Sequence, residues 1–132
     1  MAKVSSAILT TGMVEVAKIL ADSSPTYTKF VGMGVGNTSA AAAAGNTDLG
    51  ATGTNVKYVN STHAYSASNK GKWQHTWTYS DLSGHIFKEV VVCMGATTHA
   101  STSLLRAVYN TETLGSGDTL QLTVTCEVKQ GS

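Results

Sequence analysis

From Thr119 to Lys129 apolar and polar residues alternate without a break. Leu120, Leu122, Val124, Cys126 and Val128 fall on one side of an extended chain, and Thr119, Gln121, Thr123, Thr125, Glu127 and Lys129 fall on the other. Side chains of a strand point alternately to its two faces, so this run describes a strand with one face buried. The segment Lys72 to Tyr79 repeats the device: Trp73, His75, Trp77 and Tyr79 share one face, while Gln74, Thr76 and Thr78 share the other. A one-sided apolar strand is stable only against a second layer, so the chain is expected to stack one sheet on another.

The remaining segments supply that layer. His85 to Met94 is apolar on both faces, with Ile86, Val90 and Val92 opposed by Phe87, Val91 and Cys93, as expected of a central, doubly covered strand. Residues 26–35 carry Tyr27, Phe30, Val31 and Val35 and run into Gly32, Gly34 and Gly36, where glycine leaves room for another backbone to approach or for a bend. Val56 to Ser66 reads as a single weaker strand, and Leu104 to Tyr109 as another. Turn chemistry separates them at Ser68-Asn69-Lys70-Gly71, Asp81-Leu82-Ser83-Gly84 and Asn110 to Asp118, and a Thr-rich loop spans Gly95 to Ser103.

Only one stretch has a helical period. Met13, Val16, Ala17 and Leu20 recur at i, i+3, i+4 and i+7, with Thr11 or Gly12 as cap and Asp22-Ser23-Ser24-Pro25 as the stop. Between Asn37 and Asn55 the chain is small and polar, and it reads as a long surface loop. Its alanines and glycines have little side chain to bury, so Ala40, Ala42 and Gly45 mark a segment expected to serve contacts in an assembly instead of the domain core. About six strands, one short N-terminal helix and no βαβ alternation predict a mainly β fold, an antiparallel, jelly-roll-like β-sandwich forming one domain over residues 1–132.

Charge narrows the function. Charged residues make up 13% of the 132 residues, about half the usual share, and the net charge of +1 is scattered rather than striped. Direct nucleic-acid binding is therefore not expected. No apolar stretch reaches the length of a membrane span, so no membrane partner is expected. Lys3 is not followed by a compact apolar run with a cleavage site, so no signal peptide is expected either. Cys93 and Cys126 fall in strand segments and read as buried free thiols, with a disulfide between neighbouring strands as the alternative.

The search for chemistry yields little. Gly32-Met33-Gly34-Val35-Gly36-Asn37 has Asn37 where a dinucleotide loop needs its third glycine, and no helix follows. His63, His75, His85 and His99 are too widely spaced for a metal motif, so neither metal nor cofactor is expected. Asp81, Ser83 and His85 lie close together, yet these are also ordinary turn residues, and no nucleophile elbow accompanies them. No catalytic residue is assigned and no enzyme is expected. The aromatic stripe is the strongest candidate site: Trp73, Trp77 and Tyr79 suit a core or subunit interface, or stacking against a glycan.

Several short patterns then occur in an order that resembles small virion structural proteins of tailed phages. They are Phe30-Val31-Gly32-Met33-Gly34-Val35-Gly36, Asn46-Thr47-Asp48-Leu49-Gly50, Lys88-Glu89-Val90, Leu105-Arg106-Ala107 and Gly117-Asp118-Thr119-Leu120-Gln121-Leu122. Such proteins often carry Glu-Val-Gly where this chain has Glu89-Val90-Val91. The resemblance implies a head decoration, cement or tail-associated protein assembled from identical copies, with the major capsid protein or tail proteins as partners. A capsid decoration or cement protein is the leading expectation, which the low charge fits, and a tail or baseplate component is the alternative. The low charge and the many small and apolar residues predict self-association as a trimer or larger closed assembly. The implied location is the virion, assembled in the host cytoplasm. A glycan-binding module is the reading of a different class.

Overall fold

A computed structural model describes residues 2–22, 24, 29–67, 69–97 and 103–131. Its strands are β1 (Lys3–Ile8), β2 (Gly32–Gly36), β3 (Val56–Asn60), β4 (Thr62–Ala67), β5 (Lys70–Thr78), β6 (Ile86–Cys93), β7 (Leu105–Thr113) and β8 (Thr119–Glu127), with one helix, α1 (Thr10–Ala21). They form a five-stranded sheet ordered β1-β7-β6-β2-β3 and a three-stranded sheet ordered β4-β5-β8. Every pairing is antiparallel. The fold is the mainly β, two-sheet antiparallel sandwich with one N-terminal helix that the alternation predicts.

The expected registers hold in the small sheet. Trp73 lies opposite Val124, His75 opposite Leu122 and Trp77 opposite Leu120, so both apolar stripes face inward together. They meet Met33, Val35, Val90, Val92, Leu105 and Ala107 of the large sheet in one core. β6 is central, as its two apolar faces require. Its alternation is reset by an irregularity in its pairing with β7 between Phe87 and Glu89, so Phe87 joins Val90 and Val92 in the core instead of opposing them.

Several boundaries differ from the sequence reading. β7 runs on to Thr113, through residues read as part of the Asn110 to Asp118 turn, β5 starts at Lys70, inside the segment read as a turn, and β8 stops at Glu127, short of Lys129. Val56 to Ser66 is not one strand: the chain leaves the large sheet after Asn60 and enters the small one at Thr62. The buried Ser61 makes the crossing, giving both its N–H (2.9 Å) and its Oγ (3.1 Å) to the Val31 carbonyl. β1, which lies ahead of the first predicted element, adds an edge to the large sheet beside β7.

The helix is present, but its buried face is turned. Gly12 is the buried residue, and a Cβ there would collide with the Leu104 backbone, so α1 lies with its own backbone against that segment. Val16 and Ile19 consequently face the core, while Met13 and Leu20 are 50% and 81% exposed. Leu9, not Thr11 or Gly12, is the N-cap residue. The entry is held by tertiary bonds: Leu9 N–H donates to the Leu104 carbonyl and Thr10 N–H to the Ala44 carbonyl. Ser23, Pro25, Tyr27, Ser68 and His99, all invoked in the sequence reading, lie outside the described residues.

Candidate functional site

The aromatic stripe is a core feature. Trp77 is fully buried and Trp73 nearly so, and Trp73 Nε1 donates to the Phe30 carbonyl at 2.8 Å. Trp77 presents no face to a sugar or a partner, which corrects the stacking and interface readings for it, whereas the nearly buried Trp73 still borders an open cleft beneath α1. Tyr79 lies just past the end of β5, half-buried and still packed against the core. It enters a short 3-10 turn and stacks on His85 with ring centroids 3.4 Å apart, and the His85 Nδ1 hydrogen-bonds the Tyr79 carbonyl. The Asp81 carboxylate accepts from Thr78 N–H, so Asp81 and His85 both serve the turn rather than a catalytic arrangement. Among the described residues no cluster of potential metal ligands occurs.

The loop from 37 to 55 is corrected as well. It lies against the outer face of the large sheet and closes over an ion pair between Glu89 of β6 and Arg106 of β7, 2.8 Å apart with neither side chain more than 1% exposed. Arg106 also donates to the carbonyls of Ala40 and Ala41 and to Asn46 Oδ1, while the Glu89 carboxylate accepts from Gly50 N–H and Ala51 N–H. A buried pair is tolerated only when its remaining donors and acceptors are satisfied, and here loop backbone supplies most of them. Ala42 N–H bonds Ser5 Oγ, and Leu49 is buried. The backbone of Ala40 and Ala41 therefore serves the domain's own buried ion pair, while Ala40, Ala41 and Gly45 themselves lie exposed and Ala42 is half-buried.

The glycines of β2 make room for the same layer. A Cβ on Gly34 would lie 2.5 Å from the Tyr58 ring, and one on Gly36 would strike the Glu89 carboxylate. At Gly34 and Gly36 the approaching groups are side chains of the neighbouring strands and not the backbone that was expected; backbone approaches at Gly32, where a Cβ would lie 2.6 Å from Gly95 Cα. Tyr58 bonds Asp48 of the loop, and its burial, aided by that carboxylate, raises its pKa. Cys93 lies on this layer too. Burial and then the Asp48 charge push its thiol up to about 12 from an ordinary value of 9.0. Cys93 and Cys126 are free thiols on different sheets, so the disulfide alternative falls.

What remains is the open side of the sandwich, which Trp73 of the aromatic stripe borders. On one side the sandwich is closed by the crossing at Ser61. On the other, β1 and β8 are the free edges of their sheets. A cleft of about 330 Å³ runs between them, with Ser6, Ala7 and Ile8 facing Thr123 to Glu127. It is flanked by a larger apolar cleft of about 760 Å³ beneath α1, lined by Ile8, Met13, Val16, Trp73, Cys126 and Val128. Leu120, Leu122 and Cys126 point inward yet are only half-buried, and Ile8, Met13 and Val128 are 44%, 50% and 75% exposed. The sequence signal for this side was available in β8, whose alternating run is apolar to its end. The β1 half was hidden because Lys3–Ile8 is short and carries two serines. No family model, no curated protein and no solved structure matches the chain.

Proposed function

We propose that this chain is a non-enzymatic structural protein of a tailed-phage particle, a capsid decoration or cement protein that works by associating with copies of itself and with the shell. The observation that supports this reading best is the open side of the sandwich, where inward-facing Leu120, Leu122 and Cys126 stay half-buried beside exposed Ile8, Met13 and Val128. A contiguous exposed apolar patch is a common mark of an interaction surface. The charged fraction of 13% points the same way, since charge is depleted at the centres of interfaces. Burial of Trp77 weighs against a glycan-binding reading that stacks a sugar on it.

Two measurements test it. Sedimentation at micromolar concentration should give a multiple of the 13.7 kDa chain mass, reduced by Ile8→Asp. Electron microscopy of particles carrying a labelled copy should place it at regular sites on the capsid. A monomer at all accessible concentrations, together with particles that do not retain the protein, defeats the proposal.

A further inference from the structure

Natural sheets usually blunt a free edge with proline, lysine, a bulge or a very short strand, because an unpaired row of N–H and C=O groups recruits other strands. β8 has none of these. Its nine residues pair with β5 in unbroken register from Thr119 to Glu127, and the only charge among them is Glu127 at the end. No described strand pairs with its other edge. A long, regular and nearly uncharged edge beside an apolar cleft is a surface in need of a strand.

We propose that β8 pairs antiparallel with β8 of a second copy across a two-fold axis near Thr123, joining the two small sheets into one continuous six-stranded sheet. The proposal rests on the self-association proposed above and names its geometry: a two-fold contact, hence a dimer as the unit in place of the trimer expected from the low charge and the small and apolar residues.

The register is self-complementary. Centred on Thr123, it sets Glu127 against Thr119 of the partner chain, Gln121 against Thr125, and Thr123 against its own copy, so no like charges oppose one another. On the inner face it sets Leu120 against Cys126 and Leu122 against Val124, covering the very side chains that the single chain leaves half-buried. An axis normal to the small sheet keeps both inner faces on the same side. It therefore turns the two β1 edges toward one another and joins the two open clefts. Isologous two-fold contacts of this kind are the commonest mode of homo-oligomer formation.

Cross-linking of the full chain carries the test. Thr123 is exposed and points away from the core, so Thr123→Cys in a Cys126→Ala background leaves the fold in place. Under mild oxidation it should form a disulfide-linked dimer. Thr76→Cys, on the adjacent strand opposite Gln121, should not. Sedimentation under reducing conditions runs alongside, and Thr123→Lys should shift the dimer to monomer by placing two lysines face to face. Association without cross-linking at Thr123, and unaffected by Thr123→Lys, overturns the edge pairing and leaves self-association standing. A monomer with no cross-link overturns both.

Discussion

Glu89 and Arg106 sit on neighbouring central strands of the large sheet, 2.8 Å apart, in a position where neither charge reaches water. Their backbones are offset, Glu89 lying opposite Val108 and Arg106 opposite Val91, so the pair is diagonal and spans the β6–β7 ladder. Removing one partner strands the other charge, and such a loss costs about 3–5 kcal/mol. Glu89→Gln and Arg106→Met are each expected to lower stability by that order in urea denaturation. The double variant should lose clearly less than the two losses added together, because it leaves no unpaired charge.

The 37–55 loop follows from the same pair. Deleting residues 41–44 removes the Ala41 acceptor of Arg106 and the Ala44 acceptor of Thr10, and pulls Ala40 and Asn46 out of place. Buried groups left without hydrogen bonds cost about 1–3 kcal/mol each. Thermal melting of the deletion variant should therefore fall by about 5 °C or more. An unchanged melting temperature would return the loop to the assembly role that its composition suggests.

How much of this was legible depends on whether the information is local. The faces of Trp73 to Trp77 and of Leu120 to Cys126 follow from alternation within a few residues and appear as read, whereas Val128, read onto the buried face, lies past the strand's end and is 75% exposed. The meaning of Gly34 and Gly36 as places of close approach is also local, although which groups approach is not. Glu89 and Arg106 stand in apolar runs where each looks like an exposed exception. Only the register of β6 against β7 makes them one feature. The helix shows the converse failure. Its period selects Met13, Val16, Ala17 and Leu20, of which only Val16 packs on the core, because backbone contact at the buried Gly12 turns the others outward.

Gly34 and Tyr58 offer a direct check of the β2–β3 layer. A Cβ at position 34 would overlap the Tyr58 ring, and Val91 Cγ2 lies at 3.0 Å on the other side, so neither neighbour can yield freely. Overpacking of this kind typically costs about 1–3 kcal/mol. Gly34→Ala should destabilise by that order in the native background and much less when combined with Tyr58→Ala. Equal losses in the two backgrounds would show that the ring is not what excludes the methyl group.

The register of β8 is tested by a pair of neighbouring substitutions. Val124 is 7% exposed and faces the core, whereas Thr123 is exposed. Burying an unpaired carboxylate is costly, so Val124→Asp should unfold the domain or lower its melting temperature severely, and Thr123→Asp should be mild. Dilute protein is the right sample, since an aspartate at 123 also opposes the proposed two-fold contact. Similar melting temperatures for the two variants would place the wrong face inside.

Cys93 sets a limit on the alkaline side. Its thiol is fully buried on the Asp48 layer and ionises at about 12, against an ordinary value of 9.0 in the unfolded chain. Two consequences follow from that difference. The thiolate is the reactive form, and at pH 8 it amounts to about one in ten thousand of the folded molecules, so iodoacetamide should leave Cys93 unmodified until the domain unfolds. The stability consequence has a definite sign. Below pH 9 both states are protonated and the contribution is complete. Between about 9 and 12 the unfolded chain releases a proton that the folded one keeps, so stability falls as pH rises through that window. Tyr58, also raised, adds to the loss above its ordinary value of 10.0. Cys93→Ala should flatten the decline in melting temperature from pH 9 upward, and a decline as steep as that of the native chain would mean that this thiol does not control it.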